Sequence, residues 1–435
     1  MTSHTYSALW NAPLAKGKID AVVKLPGSKS LTNRELVLSA LAAEPTTLIE
    51  PLVSRDSELM IGALETLGAR FERLAGSIFV TPINSVQSTG ETVAIDCGLA
   101  GTVMRFVPPL AGLHTGTVMF DGDLGARNRP MSTTIDSLRA LGVQVEQSAE
   151  DAGKLPFSVA GRGSIRGGEL CIDASESSQF VSGLLLAAAR FEEGITLTHA
   201  GEHLPSLPHI EMTLDCLQKR GVKASATGEA TWRVEPGPIA GGEVVIEPDL
   251  SNAGPFLAAA MVAGGSITIP HWPAVTTQVG NEFIWILTEM GASVSLDERG
   301  LTLTSNGEIK GIDIDLSIGG ELAPVIAVLA ALADSPSRIS GIAHLRGHET
   351  DRLAALTAEI NRAGGHCSET EDGLEIVPTA LHACQWQSYD DHRMATAGAI
   401  IGLRVPGIEV ENIATTAKTM PNFTALWQQM LGASA

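Results

Sequence analysis

The stretch Met290-Gly291-Ala292-Ser293-Val294-Ser295 reads as a helix end, a glycine stop and a short strand. Glycine just past a helix takes the left-handed conformation that closes the last turn without steric cost. Ala292–Ser295 then alternates with the period of two expected of a half-buried strand. The same punctuation occurs at Leu67-Gly68, Leu141-Gly142, Arg220-Gly221, Ala363-Gly364 and Leu431-Gly432. Successive copies stand roughly 70–80 residues apart, longer than a solenoid repeat and long enough for a strand–helix–strand–helix unit.

Each interval also holds an earlier helix of small apolar residues with a polar or glycine-rich start. These are Leu31–Ala43, Gly101–Gly112, Ser178–Arg190, Asn252–Val262, Glu321–Ala333 and His392–Leu403. The spacing predicts an α/β chain of six βαβα repeats, divided into two domains of three with three helices packed inside each. The last helix, Phe423–Leu431, leaves too few residues for its closing strand, and Ile19-Asp20-Ala21-Val22-Val23 is the expected donor. The N-terminal segment is then expected in the C-terminal domain, with chain crossings near Leu25–Ser28 and Ile246–Asp249. The expected lobes are residues 29–247, and 1–28 together with 248–435.

Composition narrows the function classes. A chain of 435 residues exceeds one ordinary core. Its formal net charge of -20 argues against nucleic-acid binding, which needs a basic surface, and against docking on anionic membranes. No apolar run reaches membrane-spanning length, the longest being runs such as Leu322–Ala333. The segment Met1–Asp20 lacks the basic-then-apolar pattern of a secretion signal, so a cytoplasmic location is expected. Cys97, Cys171, Cys216, Cys367 and Cys384 are scattered without metal or redox spacing, and reduced thiols are expected. No His/Cys set has metal spacing and no nucleotide-binding glycine loop follows a strand, so neither metal nor cofactor is expected.

In so acidic a chain, cations gathered at loop–helix junctions point to a bound anion. Pro26-Gly27-Ser28-Lys29-Ser30 makes a turn into the first inner helix, with Arg34 one turn further on. Thr32 and Glu35 have the spacing of a capping box. Backbone N–H groups and the positive end of the helix dipole would cradle a phosphate or carboxylate there; a capped surface helix with a solvated lysine is the alternative. Comparable junctions are Asp173-Ala174-Ser175-Glu176-Ser177-Ser178-Gln179 and Asp390-Asp391-His392-Arg393. Arg129 and Lys418 stand in loops before second helices, where a single cation is usually solvated. Glu349 and Arg352, three apart in Glu349-Thr350-Asp351-Arg352, share a helix face or form a surface ion pair. Glu321 opens an apolar helix, where a carboxylate also complements the dipole.

Together these segments resemble the enolpyruvyl transferase family, in particular the branch whose acceptor is shikimate 3-phosphate. The resemblance runs from Leu25-Pro26-Gly27-Ser28-Lys29-Ser30 through Leu99-Ala100-Gly101-Thr102-Val103-Met104-Arg105, Ser177-Ser178-Gln179, Glu349-Thr350-Asp351-Arg352 and Asp391-His392-Arg393-Met394 to Ala417-Lys418-Thr419. It implies two similar lobes of three βαβαββ units each, with helix N-termini directed into an inter-lobe cleft that closes on substrate. It implies a shikimate 3-phosphate set of Lys29, Ser30, Arg34, Ser177, Ser178, Gln179, Ser206, Glu321 and His348. The implied phosphoenolpyruvate set is Lys29, Gly101, Arg129, Gln179, Arg352, Arg393 and Lys418.

The reaction implied is addition followed by elimination. The methylene carbon of phosphoenolpyruvate is protonated while the acceptor 5-hydroxyl attacks its neighbour; loss of a methyl proton and of phosphate then gives the enol ether. Glu321 matches the base for the hydroxyl, and Glu349 and Lys29 are both candidates for giving and retaking the carbon-bound proton. There are departures from the family pattern. Glu321 stands where Asp is common, Leu99 where Asn is common, and His348 where Lys is common, which makes a pH-dependent charge at His348 the expectation. Gly101 leaves space beside phosphoenolpyruvate, and sensitivity to glyphosate is expected. One rival acceptor is UDP-N-acetylglucosamine, but that branch carries a cysteine near Arg129 and none lies between Cys97 and Cys171. A non-catalytic phosphometabolite-binding protein is the rival from another class, against which Glu321 and Glu349 weigh. A monomer acting on small molecules is expected.

Overall fold

The computed structural model describes residues 8–83 and 92–432. The first residues of the segment read for a secretion signal lie outside the described residues, as do the last three of the chain. The chain forms two compact units: one runs continuously from Gly27 to Ile246, the other combines the segment ending at Pro26 with Glu247 onward. Each has its own apolar core.

All six glycine stops take positive φ, between 71° and 109°, at Gly68, Gly142, Gly221, Gly291, Gly364 and Gly432. Each follows the second helix of a repeat: Arg55–Thr66, Ser132–Ala140, Leu207–Lys219, Phe283–Glu289, Arg352–Arg362 and Phe423–Met430. The continuous unit has three four-stranded sheets of one pattern. In the sheet of Thr92–Asp96, Thr115–Asp121, Phe157–Arg162 and Gln144–Glu146, the first two strands are parallel and flank an inner helix, and the last two form an antiparallel hairpin. Gly242–Val245 returns to supply the parallel edge strand beside Thr46–Ile49 in the first repeat.

The two-segment unit repeats the pattern with a different closure. Ile19–Val22 pairs in parallel with Gly265–Ile269, so it completes the fourth repeat rather than the sixth. The sixth sheet, Gln385–Trp386 beside Glu409–Glu411, is closed by Leu9–Asn11 running antiparallel. The N-terminal segment thus carries two short strands, Leu9–Asn11 as well as the expected Ile19–Val22, and the register of pairing, which no local signal encodes, assigns them to their sheets.

The inner helices are Lys29–Leu41, Gly101–Leu113 and Gln179–Ala188 in the continuous unit, and Leu250–Ala263, Ala323–Ala331 and His392–Gly402 in the other. Within each unit the three touch one another. Ala323–Ala331 is buried at every position because its side chains are apolar around the whole circumference, and Leu250–Ala263 is buried at all but its last, the polar Ser251 and Asn252 of its first turn included. Inside Gly101–Leu113, Pro108 frees the carbonyl of Met104 from the helix ladder and Pro109 frees that of Arg105. That carbonyl lies against Gly183, where a Cβ would come within 2.2 Å, so glycine there sets the spacing of two inner helices. At the other ends of these helices, Arg190 donates to the Leu41 carbonyl and Arg404 to those of Val262 and Leu332, neutralising the negative poles.

The first inner helix begins earlier than its sequence pattern suggests. Ser28 is the cap, its hydroxyl accepting from Leu31 N–H at 3.4 Å. Thr32 and Glu35 therefore fall inside the helix and make no capping box: the Thr32 hydroxyl accepts from Leu52 N–H, and Glu35 is drawn into a buried ion pair in which Nη2 and Nε of Arg220 both donate to its Oε2, at 2.7 and 2.9 Å. Among the described residues no helix is long and apolar enough to cross a membrane.

Candidate active site

Each unit gathers polar side chains at the N-terminal ends of its inner helices. In the continuous unit, Lys29 is the first residue of its helix and its Nζ lies 3.7 Å from Asp56, in the first turn of Arg55–Thr66. Asn33 donates to the Thr102 hydroxyl at 2.9 Å, tying this helix to Gly101–Leu113. Arg129, just after the short helix Leu124–Arg127, donates to the Leu99 carbonyl at 3.2 Å. A Cβ on Gly101 would meet the Arg129 guanidinium at 2.9 and 3.0 Å and that of Arg105 at 3.0 Å.

Gly101 therefore has two guanidinium groups pressed against its backbone. Arg105 is buried, donates to the Pro130 carbonyl at 3.1 Å, and stacks over Phe180 with 5.6 Å from guanidinium carbon to ring centre. Burial pushes its pKa well below the usual arginine value, and the charge of Arg129 pushes it further. Its Nε and the side-chain oxygen of Gln179 have no hydrogen-bond partner among the described residues. An anion beside Arg105 would relieve both the charge repulsion and the unmet Nε–H donor, whereas the Gln179 oxygen, an acceptor, would take a hydroxyl or N–H donor.

Ser177, Ser178 and Gln179 form the start of the third inner helix; Ser177 Oγ accepts from Gln179 N–H at 3.3 Å, and Ser178 makes no side-chain cap. Ser206 precedes Leu207–Lys219 in the left-handed region, φ 54° and ψ 49°, where a serine is strained by about 1–3 kcal/mol. Ser30 stays near the helix start. Arg34 turns inward instead: its guanidinium donates to Thr213, to the carbonyls of Ser30 and His209, and to Ser182, and stacks over Phe106. These four donor contacts lie in the unit's interior.

The two-segment unit joins its candidates in one network. Glu321 stands in the 3-10 turn Gly320–Leu322 and accepts from the Ser251 hydroxyl at 2.7 Å, with Arg393 at 3.7 Å. Glu349 accepts from Lys418 Nζ at 2.6 Å and lies 3.2 Å from His392 Nδ1. Asp391 caps the helix of His392 through the Arg393 N–H at 2.8 Å and takes the Arg352 guanidinium at 2.8 and 3.3 Å. Asn252 and Thr419 exchange two hydrogen bonds at 3.2 Å, which fix the start of Leu250–Ala263 against the segment carrying Lys418.

The electrostatics follow from these contacts. Burial pushes the Glu349 carboxyl up, but His392, Lys418 and Arg352 outweigh it and hold the group well below the usual carboxylate range. Burial lowers the pKa of His392 while Glu349 opposes that shift, and since an ionised carboxylate only accepts, Nδ1–H of His392 donates to Glu349. Burial also disfavours the charge of Asp391, and Arg352 reverses that. His348 is exposed to solvent, yet desolvation by the atoms packed about it and the adjacent Arg352 push its pKa down to about 3. The geometry agrees: His348 Nδ1 faces Arg352 Nη1 at 3.3 Å, and since a guanidinium only donates, that nitrogen must accept. His348 is thus neutral across physiological pH, and the pH-dependent charge expected from the sequence is absent. Ligand atoms of Glu349, Asp391 and His392 lie within 4.8 Å of one another, but Lys418 and Arg352 already neutralise the two carboxylates where a metal ion would sit.

Asp56 and Ser251 join the site only through tertiary contacts, while Asn252, Arg105 and Asp391 lie in stretches the sequence marks without giving those residues a role. Asp391 had a local signal, as the residue before an inner helix that prefers a capping carboxylate. Asn252 had one too, standing at the start of an inner helix like the other candidates.

Comparison with known proteins places the chain. A family model described as EPSP synthase (3-phosphoshikimate 1-carboxyvinyltransferase) matches residues 14–427. A 3-phosphoshikimate 1-carboxyvinyltransferase of Kocuria rhizophila is 56% identical over 99% of this chain and 98% of its own length. Among solved structures, EPSP synthase from Acinetobacter baumannii superposes with a TM-score of 0.82 at 23% identity, covering 98% of each chain. The enolpyruvyl transferase NikO from Streptomyces tendae does so with a TM-score of 0.74 at 15% identity, covering 97% of each. At such identities the two structures speak for the fold alone.

Proposed function

The chain belongs to the EPSP synthase (3-phosphoshikimate 1-carboxyvinyltransferase) family, and we propose that it moves the enolpyruvyl group of phosphoenolpyruvate to the 5-hydroxyl of shikimate 3-phosphate, releasing phosphate, by the division of roles below. The observation that carries the reading is Glu349, a carboxylate kept ionised among cations that would otherwise serve only to hold anions. A protein that merely bound phosphometabolites would gain nothing from a negative charge at that point.

Lys29, Gly101, Arg129, Gln179, Arg352, Arg393 and Lys418 are assigned to phosphoenolpyruvate. Planar guanidinium forks suit its carboxylate and phosphate. Arg105 joins this set on its unmet Nε and its nearness to Gly101. Lys29, Ser30, Ser177, Ser178, Gln179, Ser206, Glu321 and His348 are assigned to shikimate 3-phosphate, His348 as a neutral hydrogen-bonding group. Arg34 serves this set indirectly, by holding the Ser30 carbonyl at 3.0 Å.

Glu321 takes the proton of the attacking hydroxyl; its contact with Ser251 holds one carboxylate oxygen in place. In the addition step the acceptor oxygen bonds to C2 of phosphoenolpyruvate while C3 gains a proton. In the elimination step C3 loses a proton as the C2–O bond to phosphate breaks. An ionised Glu349 is ready to take that second proton. Delivery of the first proton then falls to an ammonium group, and Lys29 is its candidate. The form implied is a cytoplasmic monomer acting on two small anions. Mixing the protein with both substrates and measuring phosphate release tests the reading. Release with UDP-N-acetylglucosamine in place of shikimate 3-phosphate, or no release with either, overturns it.

A further inference from the structure

Glu359 is fully buried on the helix Arg352–Arg362, among leucine, isoleucine and alanine. A buried carboxylate in such surroundings needs several donors. Glu359 has them: the Tyr389 hydroxyl at 2.7 Å, the Gln387 N–H at 3.0 Å, and the Arg362 guanidinium at 3.0 and 3.2 Å. Two of these partners lie on the segment that leads into Asp391. In that segment Tyr389 and Asp390 are successive non-glycine residues at φ 54°, a conformation that persists only where its surroundings enforce it.

The same segment is tied on its other sides. The Glu411 carboxylate accepts from the Ser388 N–H and hydroxyl at 3.2 and 3.1 Å. Asp390 accepts at its carboxylate from Asn412 at 2.6 Å and at its carbonyl from the Thr415 hydroxyl at 2.8 Å. Asn412 is itself left-handed, φ 44°, and opens the turn Ile413–Lys418. The strained segment thus connects directly to Asp391, which pairs with Arg352, and to the turn that carries Lys418 to Glu349.

We propose that Glu359 is a positioning residue for the phosphoenolpyruvate cations: through Tyr389 and the Gln387 backbone it holds the left-handed turn that aims Asp391 at Arg352 and sets Lys418 against Glu349. The proposal rests on the assignment of Arg352 and Lys418 to phosphoenolpyruvate. Its mark is a specific one, since loosening this turn moves one substrate's cations while leaving the continuous unit's groups in place.

The test uses Glu359→Gln, which keeps the side-chain shape, and Tyr389→Phe, which removes one hydrogen bond. Phosphate release is measured with each substrate varied in turn, and the imidazole nitrogens of His392 are followed by 15N NMR, assigned with His392→Gln. The expected result in Glu359→Gln is a rise of about tenfold in KM for phosphoenolpyruvate, with KM for shikimate 3-phosphate within about twofold of wild type. Tyr389→Phe gives a smaller change of the same kind, and both variants shift the His392 signals. Folded variants with unchanged KM and unmoved His392 signals overturn the proposal, as does a fall in melting temperature with both KM values unchanged. If the wild type releases no phosphate, the functional reading fails. The His392 signals then decide the positioning claim alone: a shift supports it and an unmoved spectrum overturns it.

Discussion

Replacing Gly101 by alanine puts a methyl group where two guanidinium groups already lie. The new carbon would stand 2.9 Å from Arg129 and 3.0 Å from Arg105, where an ordinary contact begins at 3.4 Å. Arg105 is buried against the Phe180 ring and yields little, so Arg129 retreats by about 0.5 Å. A 1 Å misplacement in an active site costs up to about a hundredfold. Half that displacement corresponds to about tenfold in kcat/KM, or about 1.4 kcal/mol. Because Arg129 is assigned to substrate in the ground state as well as the transition state, the loss enters KM for phosphoenolpyruvate. Stability should not fall, since Gly101 lies outside the left-handed region and alanine favours a helix by up to about 1 kcal/mol. The assay is steady-state phosphate release at varied phosphoenolpyruvate, paired with thermal unfolding. Glyphosate, an anion expected to compete at this site at millimolar concentration or below, should lose potency in parallel. A KM within about twofold of wild type, at unchanged melting temperature, refutes the crowding argument.

Three further substitutions probe the rest of the structure. Asp391→Asn keeps the cap on the Arg393 N–H but strips Arg352 of its buried counter-charge, so stability should fall by about 3–5 kcal/mol in denaturant titration and KM for phosphoenolpyruvate should rise; a near-neutral result removes the pair from the site. Glu35→Gln leaves Arg220 with an uncompensated buried charge, and neither residue is assigned to a substrate. It should cost a similar amount, with kcat/KM of the folded protein within about twofold; equal damage to stability and turnover contradicts that separation. His348 has a folded pKa near 3 against an ordinary 6.5, so the unfolded chain binds the extra proton first and stability is lost as pH falls from 6.5 towards 3, with no loss from this group above 6.5. His348→Gln should flatten that limb in melting temperature against pH; an unchanged slope means His348 is not held neutral.

Local features were legible in the sequence because their physics is local. A glycine just past a helix needs no distant partner to become left-handed, and all six stops did so. Apolar helices with polar or glycine starts likewise announced themselves, and with them Lys29, Ser177, Glu321 and Arg393 at their N-terminal ends. The family resemblance added the roles that single cations in an acidic chain do not carry by themselves. Where a local pattern met a distant partner, the partner won. Thr32 and Glu35 have capping-box spacing, yet Glu35 found Arg220, 185 residues away.

The sequence alone therefore determined the repeat, the helix starts and the chemistry available at them. Tertiary structure decided which strand closes which sheet: Leu9–Asn11 and Ile19–Val22 are both short, and only pairing with Glu409–Glu411 and Gly265–Ile269 tells them apart. It also decided charge. Glu349 is held ionised by Lys418, 69 residues on, and His348 is kept neutral because Arg352 faces its ring nitrogen. The physical reason is the same in both cases. Backbone conformation is set mainly by neighbours in sequence, whereas strand partners and ionisation are set by neighbours in space.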